Sequence, residues 1–289
     1  MVNLILSIVI VSALGILAFF ILFNYALQRS FHIHHVYTKH TPKDFGFEQS
    51  REILIETGGH KRIEIWDLNP SKAAPVIIGV HGWANTSEKL LPIAQNLADR
   101  FRIVLVNTRN HGKSDDEKYS TLINYSEDLL SAITYAAEKT NGTQPIFLMG
   151  HSMGGAACIY TAGKDNRVKG VVSISTFANL NDIMSKEFLA KKVPPWFVQS
   201  LTSYIEFRLG VHLNELSPEI TINRINIPVL ILHGDNDPVV DVHCSERIEQ
   251  AARDKNVKRI VLQGHDHSSL LTDEKTVQII KEFLTPLVG

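Results

Sequence analysis

Hydrophobic positions fall into three patterns along the chain. From Leu4 to Leu27 they run for 24 residues without a charge, broken only by Ser7, Ser12, Gly15 and Asn24. At about 1.5 Å per residue this makes ~36 Å of helix, enough to cross a ~30 Å hydrocarbon layer at a tilt. Residues 52–56 and 61–67 instead alternate apolar and polar about Gly58-Gly59, the pattern of a β-hairpin with one wet face. Short continuous apolar runs follow at 76–80, 103–106, 146–149, 171–174, 229–232 and 260–262. Such runs suit parallel strands buried on both faces. Helical patterns at 88–99, 122–139, 153–163, 243–254 and 270–284 lie between them. The βαβα order predicts an α/β fold, a doubly wound and mostly parallel sheet of eight strands with the hairpin as its antiparallel edge.

The alternation fails once, between the strand ending near Ser175 and the strand starting at Val229. That stretch holds helical patterns near 179–191 and 196–209, parted by Pro194-Pro195 and rich in large apolar side chains. Loops at the carboxyl ends of strands surround the ligand crevice of an open α/β sheet. The insert therefore reads as a helical lid over 177–226, after the sixth strand. The domain plan is a transmembrane anchor at 1–28, a juxtamembrane linker at 29–49 and a catalytic body at 50–289.

Composition narrows the classes. A chain of 289 residues with 44% hydrophobic and 20% charged positions is too apolar for disorder. Residues 1–43 carry three Lys/Arg and no acid, leaving 26 basic against 30 acidic residues in the body. A slightly acidic body offers no footprint for phosphate backbones, so no nucleic-acid partner is expected. Cys158 and Cys244 cannot make a disulfide scaffold or a four-cysteine zinc site, and no metal or cofactor is expected. Met1-Val2-Asn3 lacks the basic start of a signal peptide and the apolar run is too long for one, so the segment reads as an uncleaved single-pass anchor. Arg29, Lys39 and Lys43 follow it and place the body on the cytoplasmic side. The stretch from Phe31 to Tyr37, with His32, His34 and His35, reads as an interfacial collar rather than a metal site, since no carboxylate or cysteine lies beside it.

The chemistry-bearing residues sit at strand ends. Gly150-His151-Ser152-Met153-Gly154-Gly155 follows the run 146–149 and opens a helix. In that context the flanking glycines allow strand and helix to approach, and Ser152 is held out in a strained turn near the helix N-terminus. A serine hydroxyl needs a base, and the base an orienting carboxylate. Both follow in order: His233-Gly234-Asp235-Asn236-Asp237 after the run 229–232, then Gly264-His265-Asp266-His267 after the last strand. Cys158 reads as a small buried residue, not a second nucleophile.

With these motifs, residues 50–289 resemble the α/β-hydrolase superfamily, and among it the lid-bearing serine hydrolases that include monoacylglycerol lipases and carboxylesterases. The resemblance implies Ser152 as nucleophile, Asp237 rather than Asp235 as the orienting acid, and His267 rather than His265 as the base. It implies an oxyanion hole from the backbone N–H groups of Trp83, in His81-Gly82-Trp83, and of Met153. The turn Asn107-Thr108-Arg109-Asn110-His111-Gly112-Lys113-Ser114 resembles the family's turn after the next strand, with departures at Asn107, Asn110 and His111. Side chains of Trp83, Trp196, Phe197 and Phe207 are candidates for the acyl pocket. The expected function is a membrane-anchored serine esterase acting on lipid-like acyl esters. A thioesterase, acyltransferase or peptidase of the same fold, or an inactive tethered binding module, stands as the alternative.

Overall fold

Each short apolar run is rich in Val, Ile and Leu and too short for a helix, so it becomes a strand that fills a sheet covered on both faces. The computed structural model describes residues 2–31, 34–190, 192–252 and 256–288, without the side chains of residues 3, 26–31 and 187. Its strands are β1 (Arg51–Thr57), β2 (Lys61–Asp67), β3 (Val76–Val80), β4 (Arg102–Asn107), β5 (Ile146–His151), β6 (Val168–Ile174), β7 (Val229–Gly234) and β8 (Val257–Leu262). They form one eight-stranded sheet in the order β1-β2-β4-β3-β5-β6-β7-β8. The hairpin pairs Ile53 with Ile65 and joins β4 antiparallel, and every later neighbour is parallel.

The helices are α1 (Val2–Phe31), α2 (Leu91–Leu97), α3 (Leu122–Lys139), α4 (Met153–Ala162), α5 (Leu180–Ala190), α6 (Pro195–Leu209), α7 (Pro218–Thr221), α8 (His243–Ala251) and α9 (Glu274–Leu284). Because side chains alternate along a strand, Val76, Ile78 and Val80 pack with Leu129 of α3 and Ile159 of α4 on one face. Ile77 packs with Leu91 of α2 and Ile280 of α9 on the other. From β3 the chain turns to β4 on one side and later returns to β5 on the other. That reversal opens a crevice at the carboxyl ends of β3 and β5.

The turn after β4 accounts for two departures from the family pattern. Asn107 Nδ2 donates to Glu64 Oε2 at 2.8 Å in a fully buried pair, where an aspartate would set two carboxylates against each other. Asn110 has φ 71°, a left-handed conformation that Asn adopts more readily than other side chains. His111 is buried with its ring centroid 4.5 Å from that of His81.

Two boundaries differ from the domain plan. Helix α1 continues to Phe31, past the expected end at 28. The expected linker is docked from His35 onward: Val36 N–H bonds Asn110 O at 3.0 Å, Gly112 N–H bonds Val36 O at 2.8 Å, and Phe45 and Phe47 pack on the core under α2. So short a segment has no periodicity to betray its packing. His35 bonds Asp116 Oδ1 at 2.6 Å and Gly112 O at 2.7 Å, so it belongs to the body and not to a lipid collar. His32, Ile33 and the side chain of Arg29 lie outside the described residues. Leu4–Tyr25 of α1 has a mean hydropathy of 3.0 and is exposed except where Phe23 and Asn24 are partly covered, a helix long and apolar enough to cross a membrane.

Candidate active site

The tight turn from β5 into α4 sets the geometry of Ser152. Its backbone stands at φ 54°, ψ −118°, which an L-residue holds only where its surroundings dictate it. Its N–H donates to Ile174 O at 2.8 Å, and its carbonyl accepts from Gly155 and Ala156. A Cβ on Gly150 would strike the backbone of Gly154, and one on Gly154 would strike the carbonyl oxygens of Val80 and His81. The glycines thus let β5, α4 and the end of β3 close together beneath the serine.

Asp237 follows β7 and His267 follows β8. His267 Nδ1 lies 2.7 Å from Asp237 Oδ2, and the carboxyl group is sealed from solvent. Asp237 Oδ1 accepts the N–H groups of Val239 and Val240, both at 2.9 Å. His233 Nε2 lies 3.0 Å from Val240 O and 3.3 Å from Asp237 Oδ2. Burial alone would raise the Asp237 pKa, but the hydrogen bonds from His233, His267 and Val240 outweigh it and hold the carboxyl well below the usual range. With Nδ1 donating to this carboxylate, His267 Nε2 is left as the acceptor. Asp235 is exposed and accepts Gly264 N–H at 2.7 Å, which ties the β7 and β8 loops together. His265 Nδ1 lies 3.2 Å from Ser269 Oγ.

Ser152 and His267 line one cavity of about 640 Å³. Among the described residues no hydrogen bond joins the Ser152 hydroxyl to His267, a looseness usual where no substrate is bound. Two residues that the motifs did not single out hold neighbouring groups in place. His151, beside Ser152, lies with Nε2 2.7 Å from His267 O, fixing the loop that carries His267. Burial lowers the His151 pKa to about 4, so it stays neutral 4.7 Å, ring to ring, from His267. Tyr125 of α3 donates to Gly82 O at 3.2 Å, and His81 Nδ1 lies 2.8 Å from the same oxygen. In a trans peptide the N–H points opposite to the carbonyl. Holding Gly82 O therefore aims Trp83 N–H away from the core, on the loop whose Gly82 borders Ser152 Cβ.

Met153 is the first residue of α4, where a helix leaves its N–H without an internal acceptor. Among the described residues neither this N–H nor that of Trp83 meets an acceptor. Met153 follows Ser152 in sequence and the Gly82-Trp83 loop borders it in space, an arrangement able to receive negative charge on an attacked carbonyl oxygen.

The cavity is lined by Trp83 and by Phe177, Leu180, Met184, Phe188 and Leu209 of the insert. The other three pocket candidates lie elsewhere. Trp196 is 70% and Phe207 80% exposed, and Phe197 sets its ring edge 5.5 Å from Phe23 of α1. Helix α6 carries apolar groups all round, so sequence did not reveal that Val198, Leu201 and Ile205 form its inward side. The cavity instead touches Asn24 of α1 together with Tyr204 and Arg208 of α6, which no motif marked. Among the described residues no cluster of three or more His, Cys, Asp or Glu is placed to hold a metal. Cys158 is fully buried, and burial pushes its thiol pKa up.

A family model described as the alpha/beta hydrolase fold matches residues 75–221. The uncharacterized protein YqkD of Bacillus subtilis (strain 168) is 24% identical over 246 residues, covering 82% of this chain and 81% of its own. Among solved structures, an esterase of Pyrococcus furiosus superposes with a TM-score of 0.72 at 21% identity, over 88% of this chain and 97% of that one. A membrane phospholipase A, described as a bacterial virulence factor, superposes with a TM-score of 0.65 at 19% identity over 99% of both chains.

Proposed function

The chain belongs to the α/β-hydrolase fold family, and on that footing we propose that it is a membrane-anchored serine hydrolase that cleaves carboxylic esters of lipid-like acyl chains. The carrying observation is the 2.7 Å contact of His267 with a buried Asp237, beside a strained Ser152 in the same cavity. Ser152 Oγ attacks the ester carbonyl carbon while His267 Nε2 takes the hydroxyl proton. The oxyanion is met by the N–H groups of Trp83 and Met153. His267 returns the proton to the departing alcohol oxygen, leaving an acyl group on Ser152. Water, deprotonated by the same imidazole, then attacks the acyl carbon, and as the bond to Ser152 Oγ breaks His267 returns that proton to Oγ, releasing the carboxylic acid and restoring the hydroxyl. Asp237 keeps the imidazole in one tautomer and remains ionised throughout.

An apolar wall supports an aliphatic acyl group, and the helical insert of residues 177–226 acts as the lid. The esterase and phospholipase among the structural neighbours act in the same sense. Helix α1 is the anchor, and Lys39 and Lys43 beyond it favour a cytoplasmic body. A fluorophosphonate probe should label the full chain, and Ser152→Ala should abolish labelling and lower kcat/KM on a short soluble ester by ~10⁴-fold or more. Undiminished labelling of that variant would move the nucleophile elsewhere.

A further inference from the structure

The cavity that reaches Ser152 also reaches the apolar helix α1. Asn24 Oδ1 accepts from Tyr204 Oη at 2.6 Å and from Arg208 Nη1 at 3.2 Å, and all three residues line the cavity. One residue earlier, Phe23 sets its ring against Phe197 at 5.5 Å and Tyr204 at 5.4 Å. Phe23 and Asn24 lie at the end of the Leu4–Tyr25 span. Helix α6 is therefore held at the level where the span leaves the hydrocarbon. Trp196 packs edge-on to Phe197 at 5.7 Å and is otherwise exposed, as is Phe207 further along the same helix. A soluble protein gains nothing from these two aromatics in water, whereas Trp is favoured at a membrane interface.

We propose that the cavity is loaded from the bilayer: α6 lies on the membrane surface with Trp196 and Phe207 inserted among the lipids, and the Asn24–Tyr204–Arg208 group forms the polar rim of an entrance at headgroup depth. An amphiphilic ester then reaches Ser152 by sliding from the lipid along Phe188, Met184 and Leu180 without its chain crossing water. Burying that chain in water-free passage avoids re-exposing each CH₂, which the bilayer already shields. The inference rests on reading α1 as a membrane span and adds the route of the substrate.

The test uses the full chain reconstituted into phosphatidylcholine vesicles, with and without bromine on the acyl chains. Brominated lipid should quench the tryptophan emission, and Trp196→Phe should remove most of that quenching, because Trp66 is buried in the core and Trp83 sits beside Ser152. Equal fractional quenching in the two proteins would overturn the proposal. In the same vesicles the double variant Trp196→Ser, Phe207→Ser should lose roughly tenfold in rate on a long-chain ester dissolved in the bilayer, about the effect of 1.4 kcal/mol. It should keep its rate on a short water-soluble ester, which also reports that it has folded. Equal loss on both esters would count against a membrane-facing role. Should Ser152 prove not to be a nucleophile, the quenching measurement still decides where α6 lies.

Discussion

Ser152, Asp237 and His267 leave parallel strands on short turns held by several directional hydrogen bonds, whereas the walls above them come from α5 and α6, which meet their neighbours largely through apolar side chains. At the strand ends a displaced atom breaks several hydrogen bonds at once: Ser152 alone engages Ile174, Gly155, Ala156 and Thr176. In the insert, Val198 and Leu201 are buried while Trp196 and Phe207 on the same helix face outward. Directional bonds make the first region intolerant of small changes. Dispersion and burial make the second tolerant of repacking and able to change what it admits. On the proposed function, chemistry and selectivity are thereby separated into two layers of the molecule.

Substitutions in the lower layer should break that contrast most visibly. Asp237→Asn should lower kcat by roughly 10³- to 10⁴-fold, since an amide cannot hold the same imidazole tautomer. Asp235→Asn should stay within about threefold of the parent, because an exposed amide oxygen still accepts Gly264 N–H. His267→Ala and His265→Ala should divide in the same way. Steady-state kinetics on a soluble ester compare all four, and a larger loss for Asp235→Asn than for Asp237→Asn would reassign the acid.

The buried imidazoles of this layer predict its response to acid. Burial lowers the pKa of both His111 and His151 from 6.5 to about 4. The unfolded chain therefore takes up protons at these positions as pH falls through 6.5 while the folded chain does not. Stability should be fully present above 6.5 and fall by about 1 kcal/mol per pH unit per histidine down to 4. Urea midpoints measured from pH 7 to 4.5 check this, and His151→Gln should flatten the slope. A midpoint that does not move over that range would contradict the neutral assignment.

A smaller effect is expected from Tyr125→Phe, which removes one partner of Gly82 O and leaves His81 Nδ1 and the N–H of Asn85. Loosening the Trp83 N–H should cost roughly tenfold in kcat with KM little changed, the worth of about one neutral hydrogen bond. A KM effect alone would place Tyr125 in substrate binding instead. The mildest change is in the upper layer. Met184→Trp fills part of the cavity and should move the preferred acyl chain shorter by a few carbons, each lost CH₂ contact being worth up to ~0.8 kcal/mol. Trp196→Ala, outside the cavity, should leave the chain-length profile on soluble esters unchanged, and a shift there would return Trp196 to the pocket.

Sequence alone determined the eight strands, their alternation with helices and the place of the insert, because burial on two faces writes an unbroken apolar run and burial on one face writes an alternation. It also determined which residues stand at strand ends, since Gly150, Gly154 and Gly234 mark backbone approaches that no side chain survives. What it left open is everything set by which face of a helix meets what. Tyr125 reads as one more buried position of α3, and only the folded chain brings its hydroxyl to Gly82 O. His35, Phe45 and Phe47 read as linker because their partners lie 50 or more residues away on β4's following turn and α2. The aromatics of α6 were legible as apolar but not as inward or outward, because a helix that is apolar on all sides has no preferred side until its neighbours arrive. Contact between Asn24 and Tyr204 spans 180 residues, and a pairing at that separation leaves no periodic trace in either segment.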